Sequence, residues 1–441
     1  MDNPGLVSPP DPIGDVGPKH YVEMVNLTFA IYSKTGAVLT PPTPLGNLWT
    51  GFAVPDCTDE SGDPVVVHDQ LANRWILTQF TTRGPTFYNC VAISTTADPT
   101  GTHFRYAFST GNKFPDYPKY GVWPDAYYIS TREFNPNDTF FGVGAYALNR
   151  AQMLVGNPNA QVVHFNVAPG ATPYLPSDGL LPTDPDGKRL PPAGTPNYFL
   201  GTQDDEGPYG APLDAINMWE FSVNFANPGL STFVNSAQLR VPEFDSAFPC
   251  GADGRSCIGQ PTVSQKIDVL SYRQRPTWRL AYRNLGRVQS LVTNQSVEAR
   301  PGVAGVRWYE IRRPSNPTLF QASTFSPNDG VNRWMGSVAM DKFGNMAAGY
   351  SVSNSTSVFP GIRYTGRLQT DPKNTLPQGE QVLIAGTGSQ TGSPRWGDYT
   401  SLNVDPRDDC TFWYVNEYVE TTGQVRWQTR IGSFRFPGCG S

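Results

Sequence analysis

The chain has 441 residues, 43 of them glycine and 42 proline, with 16% charged and 12% aromatic residues. So much Gly and Pro interrupts helix interiors and excludes a mainly helical fold, while the aromatic content supplies a core and excludes disorder. A net charge of −5 lacks the basic excess of a nucleic-acid binder, and no run of about 18 apolar residues is present to span a bilayer.

The opening segment, MDNPGLVSPPDPIGD, has no basic stretch followed by an apolar one, so no signal peptide is read there. HYVEMVNLTFAIYSKTG then reads as a strand hairpin. From that point one pattern recurs: a polar start, an alternating strand, a tight Asp/Asn/Gly turn and a second β-rich strand. It occupies Gly62–Phe80, Asp116–Phe134, Thr277–Val297, Arg333–Ser353 and Arg395–Val419. The interval 134–277 holds at least one more unit, around NYFLGTQDD and AINMWEFSVNF. Units of about 60 residues, each hairpin followed by further strands, predict an all-β fold, a β-propeller forming a single domain over 1–441. Seven four-stranded blades are expected, with six blades and an N-terminal strand pair as the alternative. Closure is expected between N-terminal strands and the last C-terminal one. Two Pro/Gly-rich stretches, 168–196 and 242–261, read as long loop insertions, serving either as functional rims or as decoration.

The six cysteines pair by proximity as Cys57–Cys90, Cys250–Cys257 and Cys410–Cys439, which points to a secreted, extracellular or periplasmic protein. Their spacing does not suit zinc, and His20, His68, His103 and His164 are scattered. His68 and His164 sit mid-strand and read as structural. DPDGK, Asp184–Lys188, lacks the remaining ligands of a calcium loop and reads as a turn. No cofactor is expected; calcium in a propeller channel is left open.

In a propeller the start of each first strand and the end of each second strand meet at one mouth. Hairpin register sets Asp398 and Tyr399 opposite Asn416 and Glu417, and Arg333 and Trp334 near Tyr350. It also sets Asp63 near Gln79, Asp116 and Tyr117 near Arg132 and Glu133, and Arg275 and Thr277 near Asn294, with Asp204, Asp205 and Glu206 on the same rim. Arginine forks, aromatic faces and paired acids are what a sugar-cleaving site uses. The competing reading is that these groups satisfy one another.

The segments RLAYRN (Arg279–Asn284), GVRWYEIR (Gly305–Arg312), MGSVAMDKFGN (Met335–Asn345) and RWGDYTSLNVDP (Arg395–Pro406) resemble those of a large group of secreted bacterial β-propeller-like proteins, mostly without assigned activity. That resemblance implies fold and secretion and transfers no catalytic residue. A looser similarity to sialidases and other propeller glycan enzymes implies Arg333 and Arg395, with Arg275 or Arg283, as a cluster for a sugar carboxylate. It further implies Tyr399 as nucleophile assisted by Glu417, and Asp63 or Asp116 as general acid, although the sialidase Asp box is missing from every turn. A lyase on a similar scaffold would use Tyr399, Tyr120, Lys119 and Arg395; Trp334, Trp396 and Asp398 complete the expected substrate-binding ring. The expected function is cleavage of a glycosidic bond in an anionic polysaccharide, by hydrolysis or elimination. The alternative is a non-catalytic propeller that binds glycan or protein in adhesion or extracellular assembly. Oligomeric state is not legible.

Overall fold

The computed structural model describes the chain except for residues 171–174, 176–178, 208, 249, 251–253, 270–273 and 440–441. Among the described residues the one α-helix is Arg150–Leu154, as the Gly and Pro content requires. Four-stranded antiparallel sheets follow one another along the chain, over 13–44, 65–111, 114–167, 181–240, 277–325 and 332–386, and a three-stranded sheet covers 401–434. All five repeated hairpins, the N-terminal hairpin and the expected unit between 134 and 277 are present.

The first strands of these sheets are Ile13–Val16, Val65–Asp69, Phe114–Val122, Leu181–Asp186, Thr277–Asn284, Asn332–Met340 and Ser401–Val404. Each touches the next in that order, and the last touches the first, so they close a ring. Radial sheets around such a ring define a β-propeller. Strands near the axis are covered on both faces by neighbouring sheets, so Asn197–Gln203 and Asn332–Met340 are buried at every position. Outer strands such as Thr232–Arg240 present much of their length to solvent.

The turns far from the mouth share one device. Asp69 accepts hydrogen bonds from the backbone N–H of Leu71 and Ala72 at 2.9 and 3.0 Å. Asp341 does the same for Phe343 and Asn345, and Asp405 for Arg407. Each carboxylate replaces backbone partners lost where the chain reverses. Closure follows the expected route: Asp2 bridges Gln428, and Thr429 N–H donates to Met1 O at 2.9 Å.

The predicted loop 168–196 needs correction where it is described. Leu181–Asp186 inside it is an inner strand, so Asp184 and Asp186 of DPDGK lie on a strand and the turn begins at Gly187, with φ 80°. Pro182 and Pro185 deprive this strand of amide donors, and it pairs with its own sheet only at Leu181 and Pro182. Parallel pairing of Thr183–Asp186 with Leu280–Arg283 compensates and joins two sheets. The second stretch, 242–261, carries the short strand Ser256–Ile258, paired with Ile267–Asp268. Other parts of both stretches, including 171–174 and 251–253, lie outside the described residues. The three cysteine pairs are disulfide-bonded as expected, with no free cysteine.

Candidate functional site

Two aspartates stand immediately before inner strands in the same local sequence, Asp11-Pro12-Ile13 and Asp63-Pro64-Val65. A residue preceding proline prefers extended backbone, yet these have φ of 47° and 43°. Tyr117, Gln274 and Met335, near the starts of three other inner strands, are also left-handed, with φ of 55°, 46° and 46°. Left-handed non-glycine backbone costs about 1–3 kcal/mol per residue and concentrates where groups must be aimed. At Asp11, Asp63 and Tyr117 it accompanies groups that meet at the ring's mouth.

Hydrogen bonds tie these groups together. Asp11 accepts from Asp398 N–H at 2.7 Å and from Asn26 Nδ2 at 2.9 Å, and Asn26 Oδ1 accepts from Asp63 N–H at 2.8 Å. Asp63 accepts from Tyr117 N–H at 3.2 Å, and the Tyr117 hydroxyl donates to Asp398 O at 3.3 Å. Lys119 is buried beneath them, its ammonium 3.3 Å from the centre of the Tyr117 ring and 4.0 Å from that of Tyr399. The Arg275 guanidinium lies 3.8 Å from the same Tyr117 ring. Asp116 is also at the mouth, ion-paired to Arg132 at 3.1 Å.

The neighbouring carboxyls are pushed in opposite directions. Burial, then the charges of Asp11 and Asp116, raise Asp63 well above the usual carboxylate range. Burial and the charge of Asp398 move Asp11 up to about 7. Burial also opposes the charge on Asp398, but Arg395, Arg275 and Arg255 outweigh it and hold that carboxyl below its ordinary value. Burial, against the pull of Asp63 and with help from Arg275, brings Lys119 down to about 7. Two carboxyls pushed in opposite directions therefore stand side by side at the mouth.

A second layer covers this cluster. Arg395 donates to both oxygens of Asp398 at 2.9 and 3.0 Å and pairs with Asp268 at 3.2 Å; Arg255 also pairs with Asp268. Asp268 N–H donates to Pro394 O at 2.8 Å. Ile258, Ile267 and Val269 share the apolar cluster of Tyr117, Trp278, Trp334, Trp396 and Tyr399. The hairpin at Ser256–Ile258 and Ile267–Asp268 thus packs onto the mouth.

Of the residues anticipated from sequence, Asp63, Asp116, Lys119, Asp398, Tyr399 and Arg395 come together here. Tyr399 donates to Pro64 O at 3.1 Å, while Glu417 accepts from Gly397 N–H. Among the described residues no hydrogen bond joins Tyr399 to Glu417. Burial, with the charges of Asp63 and Asp11, raises the Tyr399 phenol well above its normal value; burial likewise raises Glu417. Trp334 and Trp396 are fully buried with rings 5.6 Å apart, and Trp396 donates to Ser351 Oγ. Tyr120 is buried as well. These rings fill the space under the mouth, so none offers a face on which a sugar would stack. Arg333 is held by Asp329 and Glu380 in the segments flanking its own sheet's strands. Arg283 belongs to the opposite end of the inner strands, paired with Asp409 and donating to Met340 O. A rim alternates inward and outward side chains and has two ends, and register alone assigns neither.

Asp11, Asn26, Arg255 and Asp268 were not anticipated. The repeated Asp-Pro step before an inner strand was a usable signal for Asp11; the other three reach the mouth only through tertiary packing. Asp204, Asp205, Glu206 and Asp214 bring carboxylate oxygens within 4.8 Å of one another, a group able to hold a cation. Asp204 and Asp214 are each engaged by backbone amides of the 244–246 segment.

His68 is buried, whereas His164 is exposed on an outer strand. His164 stacks on Tyr146. His68 bonds Asn73 Oδ1 at 3.0 Å and lies against Trp75, and burial lowers its pKa to about 4 despite the Asn73 bond. A depressed histidine keeps its full stability above its unfolded pKa and loses it as pH falls toward the folded value. Wild type should therefore lose about 3 kcal/mol through this group between pH ~6.5 and ~4. In His68→Gln that component should vanish from urea unfolding measured across the same range; an unchanged pH slope would refute it.

No family model matches the sequence, and no curated protein is significantly similar to it. Among solved structures, a Penicillium chrysogenum α-L-arabinanase complexed with arabinobiose aligns over 84% of this chain and 92% of its own, at 11% identity and a TM-score of 0.44. An endo-arabinase from Bacteroides thetaiotaomicron aligns over 71% and 96%, at 13% identity and 0.34. An α-L-arabinofuranosidase from Fusarium graminearum, in complex with an iminosugar inhibitor, aligns over 85% and 92%, at 8% identity and 0.31. Scores this low transfer no residue.

Proposed function

We propose that the chain is a secreted, seven-bladed β-propeller hydrolase that cleaves a glycosidic bond at the mouth of its ring. Seven counts each sheet as a blade, the three-stranded one being extended by the N-terminal residues beside Gln428 and Thr429. The disulfides support an oxidising compartment, and no helix of the described residues is long and apolar enough to cross a membrane.

The observation that carries the reading is the meeting of Asp63 and Asp398 at the mouth, linked through Tyr117, with burial and neighbouring acids pushing Asp63 up and three arginines holding Asp398 down. Hydrolysis needs one carboxylic acid to protonate the departing oxygen and one carboxylate to act at the anomeric centre, directly or through water. Asp63 suits the first role and Asp398 the second. Asp11 fixes the Asp398 backbone, and Lys119 supplies positive charge beneath the acids. Tyr399, held as a neutral phenol, suits a wall of the site better than a nucleophile or a lyase base. Arg395, Arg255 and Arg132 are engaged by the chain's own acids, which favours a neutral sugar at the mouth over a uronate.

Incubation with neutral and acidic polysaccharides, following reducing ends and the absorbance of unsaturated sugars together, tests this. Reducing ends without absorbance are expected. Absorbance would mean elimination, and silence throughout would replace the enzyme by a glycan- or protein-binding propeller.

A further inference from the structure

Far from the mouth, where the strand Thr277–Asn284 ends, lies a hollow of about 510 Å³ lined by Arg189, Leu285, Gly286, Arg287, Val288, Arg312 and Gln369. That volume is in the range of small-ligand sites, about 300–1,000 Å³. Its lining holds three guanidinium groups and no carboxylate. Arginines at the ring itself are matched: Arg132, Arg255, Arg279, Arg283, Arg333 and Arg395 each pair with an acid. Arg189 and Arg287 form no ion pair among the described residues.

Local structure holds this charge in place. Gly286 has φ 87°, left-handed backbone that favours glycine, and the Arg189 guanidinium lies against it, its Nη1 2.2 Å from where a Cβ would fall. Asn284 clamps the two segments together: its Nδ2 donates to Leu190 O at 2.7 Å, and its Oδ1 accepts from Gly286 N–H at 2.9 Å. Arg312 donates through Nε to Glu310 at 2.7 Å and stacks on Phe320, with the Lys373 ammonium on the same ring. One edge of Arg312 is thereby fixed, and a further cation stands nearby.

We propose that this hollow binds the acid groups of an anionic polysaccharide, at a site separate from the mouth. Guanidinium forks match planar carboxylates and sulfate oxygens through paired hydrogen bonds. Nucleic acid is disfavoured, because it needs a track of phosphate contacts over a broad basic surface, and this is one concavity on a chain of net charge −5. The assignment does not depend on catalysis at the mouth.

The test is affinity electrophoresis of the whole protein through gels containing polygalacturonate, dextran sulfate or neutral dextran, with a single-stranded oligonucleotide titrated separately. Retardation by an acidic polysaccharide and none by dextran is expected, weakened at least about tenfold in Arg189→Gln/Arg287→Gln. Arg426→Gln, an exposed arginine elsewhere, and Asp63→Asn should bind as wild type. Preference between the two acidic gels assigns carboxylate or sulfate. Equal binding by the double variant, no retardation by either gel, or tighter binding of the oligonucleotide would each overturn the proposal. Circular dichroism of the double variant, expected to match wild type, guards against misfolding; if it is altered, Arg287→Gln alone decides by the same binding readout.

Discussion

Asp63→Asn is expected to reduce turnover of the cleaved glycan by about 10²–10⁴-fold, the usual contribution of a positioned general acid, while leaving the fold intact. Asn fits the same left-handed backbone and can still accept from Tyr117 N–H, so the change removes a proton rather than a shape. Asp398→Asn should cost a similar factor by removing the ionised partner, and Asp116→Asn far less, since Asp116 is neutralised by Arg132. The pH profile gives an independent reading. Activity should rise with pH as Asp398 ionises, at a position below that of an ordinary carboxylate. It should decline above neutrality, where Asp11 and Lys119, each moved to about 7, change charge beside Asp63. Asp398→Asn should lose the acid limb. Near wild-type turnover in both Asp63→Asn and Asp398→Asn would remove the mouth from consideration as a hydrolytic site.

Arg279→Met is expected to produce the largest loss of stability, about 3–5 kcal/mol. Arg279 is 1% exposed and reaches Asp184 at 2.7 Å and Asp186 with its other terminal nitrogen. Methionine matches much of the volume, but it strands two buried carboxylates beside a third, Asp15. Burial and the charge of Asp184 already raise Asp15 to about 8, and burial raises Asp184 to about 6 even with Arg279 present. Without the arginine these carboxyls should rise further. A raised carboxyl contributes stability that is present at low pH and lost as pH climbs through its folded pKa. The deficit of the variant should therefore be smaller at pH ~5 than at pH ~8. Urea unfolding at both values measures it; a deficit below about 1 kcal/mol at both would show that the pair contributes little.

How much of this was legible beforehand depended on the range of the interactions involved. Each repeated hairpin was visible because strand alternation and an Asp-led turn are local, and Asp69, Asp341 and Asp405 do act on amides two to four residues away. The disulfides were legible for the same reason: their partners are 33, 7 and 29 residues apart, near in sequence as well as in space. Pro-rich Leu181–Asp186 was missed because its strand identity comes from parallel pairing with residues almost a hundred positions away, a partner that no local pattern reports.

The site divides along the same line. Asp63, Asp116, Asp398 and Tyr399 were reachable from hairpin register, because each stands near the start of a recognisable inner strand, whereas Lys119 was named only through the lyase-like similarity. The sequence by itself determined an all-β chain of repeated hairpins, its cysteine pairs and the acids at the strand starts, since all of these follow from contacts within tens of residues. Tertiary structure alone decided which rim groups meet: Arg283 points to the other end, Trp334 and Trp396 pack inside, and Asp11 reaches Asp398 from 387 residues away. It also decided their protonation, because burial and the summed charges of several sheets set those values, and neither exists until the ring closes.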